Sequence, residues 1–349
     1  MEKSDLIGWA EFHRRIETEW FSALTEGSNP NLNPLAHRLK DISNLAFNLK
    51  FFGYELARSL AEGLGPSALS APVHVGLTCK PSTQADLESD WALYWCQQLK
   101  AAPVFHRKLW ELVYVLQALH EAGCLREGSR GLGFGCGQEP LPSYFASIGV
   151  TVLATDLESS ARAAEGWAAT GQHADSIESA YKPDLVDREK FDRHVQFRSV
   201  DMNDFPSDLN DFDFCWSICS LEHLGSIDRG LEFVKRSLDT LRPGGVAVHT
   251  TEFNFSNDAE TIDNWPTVLF QRRHFLALHS ALTAAGHAVP TLDFDVGNKP
   301  LDRFIDVPPY LHDWNDVYRK YWGHLANHMK LSVDGFPTTC FGLIIQKRI

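Results

Sequence analysis

No run of apolar residues in this 349-residue chain approaches the roughly 18–20 needed to cross a bilayer as a helix. The opening stretch, Met1-Glu-Lys-Ser-Asp-Leu-Ile-Gly8, has no basic segment followed by an apolar one, so no secretory signal is expected. Basic tracts are absent as well. Lys and Arg number 32 against 45 Asp and Glu, a formal net charge of −13. Nucleic acid and anionic membrane both recruit a basic face, so neither is an expected partner. Cysteines are too scattered to form a framework. They are seven, an odd number, at Cys79, Cys96, Cys124, Cys136, Cys215, Cys219 and Cys340. Only Cys215 and Cys219 lie close together, with no second pair, which suits buried free thiols better than zinc or disulfides. Internal repeats and low-complexity segments are lacking too. These absences together lead us to expect a soluble protein of a reducing compartment, hence a cytoplasmic one.

What is present is an ordinary globular composition, 44% hydrophobic and 22% charged, long enough for about two or three domain-sized units. The first third reads as helical. Trp9, Phe12, Ile16 and Trp20 recur at helical spacing, as do Leu35, Leu39, Ile42 and Leu49. Leu109, Leu112, Val113, Leu116 and Leu119 predict a further helix from about Arg107 to Glu121, with Gly123 suited to its end. From Arg130 the texture changes. Short apolar runs around Leu132–Phe134, Thr151–Thr155, Val195–Val200, Phe212–Trp216 and Val246–Thr250 alternate with helical patterns, and Thr338–Ile345 reads as a last strand. Such alternation predicts βαβ units, a parallel sheet with helices on both faces.

The chemistry concentrates where the strands end. Gly131-Leu-Gly-Phe-Gly-Cys-Gly137 leaves the backbone bare where a strand turns into a helix, so that a ligand can approach main-chain N–H groups. No start position in it satisfies the dinucleotide pattern G-x-G-x-x-G, which counts against NAD or FAD. The next strand ends on Asp156 and the one after on Asp201-Met202. One carboxylate can accept both ribose hydroxyls of a nucleoside. The other can accept from an adenine amino group while the apolar neighbour packs on the ring.

Between about Arg130 and Thr251 the chain resembles the class I S-adenosylmethionine-dependent methyltransferases. The glycine-rich run resembles that family's first motif, and Asp156 and Asp201-Met202 stand where its ribose and adenine contacts stand. Phe212-Asp-Phe-Cys-Trp-Ser-Ile-Cys-Ser-Leu-Glu-His223 resembles its fourth motif, and Leu241-Arg-Pro-Gly-Gly245 its post-helix turn. The resemblance implies an α/β, Rossmann-like, mostly parallel seven-stranded sheet with helices on both faces, plus an N-terminal helical addition. It implies S-adenosyl-L-methionine as cofactor, held by Gly133, Gly135, Gly137, Asp156, Leu157, Asp201, Met202 and Ser217. Two departures stand out. Gly133 occupies a position where the family often has an acid, so that contact must come from elsewhere, and Glu139 replaces the usual third glycine. The connection from Asp156 to Val195 is also long, and Gly166–His173, with Trp167 and Gln172, is a candidate for part of the pocket.

Methyl transfer needs proximity, orientation and often a base. Candidates near the ends of the fourth and fifth strands are His223, Glu222, His249 and Glu252, with His223 the first choice and Glu222 beside it; His249, alternating with Val246 and Val248, fits a core position better. Ser220-Leu-Glu-His223 also resembles the ubiquinone-type O-methyltransferases, whose Glu-x-x-Glu-His cluster is associated with a divalent metal. Cys219 stands at its first position, so no metal is expected. Arg107 and Lys108 open a helix, where cations are unfavourable. Either they meet the cofactor's carboxylate or an anionic substrate, Lys108 being the preferred cofactor contact, or they form a solvated cluster. Glu252, Trp265, Asp302, Arg303 and Tyr310 are substrate-side candidates, because segments outside the core build the acceptor pocket in this fold class.

The expected organisation is a helical extension or cap over 1–125 and a cofactor-binding methyltransferase domain over 126–349, with 297–337 an insertion before the last strand. The expected reaction is methylation of a small or medium polar acceptor, most plausibly a hydroxyl oxygen of a sugar or glycan precursor or a secondary metabolite. A cofactor-binding regulatory module without turnover and a protein or peptide methyltransferase are the alternatives.

Overall fold

The computed structural model describes residues 25–26, 29–30, 33–157, 177–311, 314 and 316–349. The candidate segment Gly166–His173 and the helical pattern from Trp9 to Trp20 lie outside these residues.

A nine-stranded sheet organises the molecule. Its strands in chain order are β1 (Lys80–Pro81), β2 (Arg130–Phe134), β3 (Thr151–Asp156), β4 (Val195–Ser199), β5 (Phe212–Ile218), β6 (Leu241–Asn254), β7 (Ile305–Asp306), β8 (Lys330–Val333) and β9 (Phe336–Gln346). They lie side by side as β4-β3-β2-β5-β6-β9-β8-β7, with β1 also pairing β9. The five strands from β4 to β6 are parallel, and β9 joins β6 antiparallel. The Rossmann-like core of the expected fold is therefore present. The short ribbons β1 and β7 and the hairpin strand β8 carry the sheet past the expected seven.

The chain winds outward from β2 to β4 and then returns to β5. That reversal of strand order opens a crevice at the carboxyl ends of β2 and β5, the place where open α/β sheets bind ligands.

Helices cover both faces, and each buries an apolar stripe. Helix α4 (Arg107–Glu121) buries Leu109, Val113, Leu116 and Leu119 on one face of the sheet. Gly123, with φ +69°, ends it in the left-handed region that glycine adopts without cost. On the other face, α7 (Ile227–Ser237) begins at Ser226, whose hydroxyl caps the Arg229 N–H, and buries Phe233 and Val234. It has Asp228 in its first turn and Lys235 and Arg236 in its last, charges that complement the helix dipole. Helix α8 (Arg272–Ala284) buries Phe275, Leu278 and Leu282 against the same face. Between α4 and α7 in the chain lie α5 (Leu141–Ser147) and α6 (Arg188–His194), and α2 (Gln84–Leu87) and α3 (Asp90–Gln98) precede α4. Helix α4 packs on the sheet itself, so the region after residue 106 is structurally continuous with the 126–349 core.

The N-terminal addition and the segment before the last strand share a small core of their own. Helix α1 (Asn33–Glu62) places Tyr54 against Trp314 and Leu325. Its Phe47 ring stacks on Tyr318 with centroids 4.1 Å apart. At Gly53 a side chain would overlap the Phe304 ring, so the helix can sit this close only with glycine there. Below this aromatic layer, Lys50 Nζ pairs with Asp306 Oδ1 at 2.5 Å. Tyr54 donates to Asp306 Oδ2 at 2.7 Å, and His328 Nδ1 lies 2.8 Å from the same oxygen.

Among the described residues no helix is long and apolar enough to cross a membrane. All seven cysteines are free thiols, and all but Cys219 are buried.

Candidate active site

The glycine loop follows β2 directly. Gly133 pairs in register with Trp216 of β5 on one side and Ala154 of β3 on the other. A side chain at Gly133 would overlap Cys136 Sγ and the Trp216 ring. Gly135 and Gly137 have φ of +60° and +51°, a region that side chains disfavour. A Cβ at Gly135 would lie 2.6 Å from Ser220 Oγ and 3.4 Å from Met202 Sδ. The loop is anchored to β3 by Cys136 N–H donating to the Thr155 carbonyl at 2.9 Å and by Thr155 Oγ1 donating to the Gly133 carbonyl at 2.7 Å.

Asp156 ends β3 and is buried, with Oδ1 accepting the Leu157 N–H at 2.8 Å. Asp201 is exposed one strand further out. Its Oδ1 takes the Asn203 N–H at 2.8 Å, which leaves Met202 buried against the loop. Gly133, Gly135, Gly137, Asp156, Leu157, Asp201 and Met202 are thus brought to one crevice. Bare backbone, a buried strand-end carboxylate and an apolar wall fit an adenosine-bearing cofactor. Ser217 is turned elsewhere. Its hydroxyl lies 2.8 Å from His249 Nδ1, and His249 Nε2 lies 3.0 Å from Ser237 Oγ. Burial pushes His249 down to about 3, so it is a neutral core histidine between two hydroxyls.

Beside the crevice, where β5, β6 and β9 meet the start of α4, lies a buried polar cluster. The cations at the helix start are compensated by carboxylates. Arg107 Nη1 donates to Glu252 Oε1 and lies 3.2 Å from Cys340 Sγ, and Lys108 Nζ lies 3.2 Å from Glu111 Oε1. The helix cap is His106, whose Nδ1 accepts the Lys108 N–H at 3.0 Å. Glu111 is fully buried and bonded by the Thr250 hydroxyl and by Cys340 Sγ at 2.9 Å. Lys108 therefore faces Glu111 rather than an empty anion site. Cys219, with φ +43°, and Ser220 turn the chain after β5, which carries Glu222 inward and His223 outward. Glu222 is 0% exposed. Its Oε2 accepts the Thr251 hydroxyl at 2.9 Å, while Oε1 is buried with no hydrogen-bond partner, as is Glu252 Oε2. Burial and the neighbouring Glu252 push Glu222 above the usual carboxylate range.

His223 Nδ1 lies 3.1 Å from the Pro266 carbonyl, next to Trp265, which is 60% exposed. Arg303 is exposed at the end of the short helix Pro300–Arg303, and no described contact joins it to Glu222 or Glu252. Its neighbour Asp302 is tied into the cap, accepting the Gln84 and Lys299 N–H groups. Tyr310 bonds the Ser332 carbonyl on the same side as Asp306 and His328.

Atoms able to ligate a metal lie within 4.8 Å of one another in two trios among the described residues, Cys219, Glu222 and Glu252, and Glu111, Cys219 and Cys340. Arg107 and Lys108 already bring positive charge to these carboxylates.

Sequence reasoning passed over Glu111, Asp306 and His328, and read Cys340 only as a buried free thiol. Glu111 sits in an apolar helix pattern, and its one signal was the i,i+3 spacing from Lys108.

The profile of a family described as methyltransferase domain matches residues 107–289, more than half of the chain. The chain belongs to this family of methyltransferases, and its cofactor is S-adenosylmethionine. Among solved structures it is similar to the [4+2]-cyclase SpnF at 17% identity, covering 69% of this chain and 84% of that one with a TM-score of 0.42. It is also similar to an S-adenosylmethionine-dependent methyltransferase from Mesorhizobium loti (16% identity, 66% and 96% covered, TM-score 0.37). A third, from Aquifex aeolicus, shows 17% identity over 66% of this chain and 88% of that one, with a TM-score of 0.34. No curated protein matches the chain significantly.

Proposed function

We propose that the enzyme methylates a hydroxyl oxygen of a small or medium polar acceptor, a sugar or glycan precursor or a secondary metabolite. The observation that carries this reading is the pair of buried, donor-less carboxylate oxygens, Glu222 Oε1 and Glu252 Oε2. A buried acceptor without a donor is costly, and hydroxyl groups of a bound polyol supply the missing donors. The net charge of −13 supports an acceptor other than nucleic acid.

When bound, S-adenosylmethionine supplies an electrophilic methyl group. The glycine loop, Asp156, Leu157, Asp201 and Met202 hold its adenosine portion. Arg107 fixes Glu252 through Oε1, so that Oε2 orients one acceptor hydroxyl. Glu222 Oε1 takes the proton of the attacking hydroxyl. Its raised pKa matches it to that task near neutral pH. His223, anchored on Pro266, and the exposed Trp265 stand at the outer side of this turn and line the approach; Arg303 on the cap is a more remote contact for the acceptor. Thr251 keeps Glu222 Oε2 in place.

Incubating a cell extract with the enzyme and methyl-labelled cofactor, followed by mass spectrometry, identifies the acceptor. Glu222→Gln should lower labelling by about 10²–10⁴-fold, the usual worth of a general base, with calorimetric affinity for the cofactor retained. Unchanged labelling would remove Glu222 from the reaction. Titration with NADH should give no binding.

A further inference from the structure

The turn that follows the glycine loop carries a carboxylate of its own. Glu139 stands just after Gly137, and Trp216 Nε1 donates to its Oε1 at 2.9 Å. Its other oxygen, Oε2, is buried and has no donor. Burial pushes this carboxyl up to about 8, against the lowering effect of hydrogen bonds from Trp216 and the Cys136 thiol, and the nearby Glu111 and Asp156 add to the rise. Buried without a donor at Oε2, the group keeps its proton near neutral pH in the unliganded protein, and a cation placed against it would release that proton and fill the vacant side of the carboxylate. Trp216 occupies the space into which a side chain at Gly133 would project, and its indole N–H holds Glu139 in that neighbourhood.

We infer that Glu139 Oε2 receives the α-ammonium group of the cofactor's methionine portion. This rests on the reading of the crevice given above. With the adenosine held at Asp156 and Met202 on the β3–β4 side, the rest of the ligand runs across β2 towards β5, where Trp216 presents Glu139. The cofactor carries two cations, and only one can satisfy Oε2. A sulfonium has no N–H to donate, whereas an ammonium offers three. The group is thus a binding residue that also sets the direction in which the methionine chain lies.

Three ligands test this by isothermal titration: S-adenosylhomocysteine, its relative 5′-methylthioadenosine without the amino-acid portion, and decarboxylated S-adenosylmethionine, which keeps the amine. Glu139→Gln, which retains an acceptor for Trp216, should weaken the first and third by roughly 10- to 100-fold, the worth of a charge-assisted hydrogen bond, and leave 5′-methylthioadenosine unchanged. Glu139→Asp should fall between the wild type and the Gln variant. Equal losses for all three ligands would show a merely structural role and overturn the inference, as would no loss for any. If the wild type binds none of them, the crevice assignment itself fails. Should Glu139→Gln not fold, the Asp variant alone decides by the same contrast between ligands with and without the amine.

Discussion

Asp156 is held at the end of β3 with one oxygen on its own chain, the Leu157 N–H, and the glycine loop is tied to the residue before it by the Cys136 and Thr155 hydrogen bonds. At this scale the grouping of the candidate crevice residues was largely legible. Glycines, strand-end acids and Met202 are consecutive or near-consecutive in sequence, and the strand periodicity alone places them at one edge. Glu139 was visible only as a departure from a glycine pattern. What gives it a role is Trp216, 77 residues later in the chain, and no spacing rule connects the two. Ser217 illustrates the reverse. It lies in the right motif, yet the alternation of side chains along β5 turns it to His249 on the opposite face. Replacing Asp156 by Ala removes the acceptor for ribose hydroxyls, and affinity for S-adenosylhomocysteine measured by calorimetry should fall by about 1–3 kcal/mol. Unchanged affinity would mean that the ribose lies elsewhere.

Elements outside the parallel core show where sequence reading stops. The β8–β9 hairpin is signalled by Asp334-Gly335, both with positive φ, which is the chemistry of a two-residue turn between antiparallel strands. The contact between α1 and the segment before the last strand has no such signal. Lys50 meets Asp306 across 256 positions, and burial of these charged groups reverses what composition leads one to expect. Burial alone would raise the pKa of Asp306, but His328 and Lys50 together hold it below the ordinary carboxylate range. Removing one partner leaves the other charged, buried and unpaired, which typically costs about 3–5 kcal/mol. Asp306→Asn should therefore lower urea stability by about that amount. The double variant Lys50→Met with Asp306→Asn should be markedly less destabilised than the sum of the single changes, because it buries no orphan charge. Additive losses would show that the pair does not couple.

For the molecule as a whole, four carboxyls form two sets with opposite consequences for pH. Asp306 and Glu111 are held below their usual values. Their contribution to stability is present above the unfolded-state value and is lost as pH falls through the folded one. Glu139, at about 8, and Glu222 are pushed up by burial. Between the unfolded carboxyl value near 4.3 and the folded value, the folded state keeps protons that the unfolded state has released, so stability declines as pH rises through this window. The crevice thus makes the unliganded enzyme less stable on the alkaline side, and urea midpoints should fall from pH 5 to pH 9. Glu139→Gln removes one of the groups responsible without changing shape. Its midpoint should match the wild type near pH 5, where Glu139 is protonated, and exceed it near pH 9. The acid limb, set by Asp306 and Glu111, should be the same in both proteins. Saturating S-adenosylhomocysteine at 100 times its dissociation constant adds about 2.7 kcal/mol to the wild type. If Glu139 meets the ammonium, the ligand should stabilise the wild type at pH 9 more than it stabilises the Gln variant at the same concentration. Parallel curves for the two proteins across the whole range would show that Glu139 titrates as an ordinary exposed carboxyl and that burial does not govern the alkaline limb.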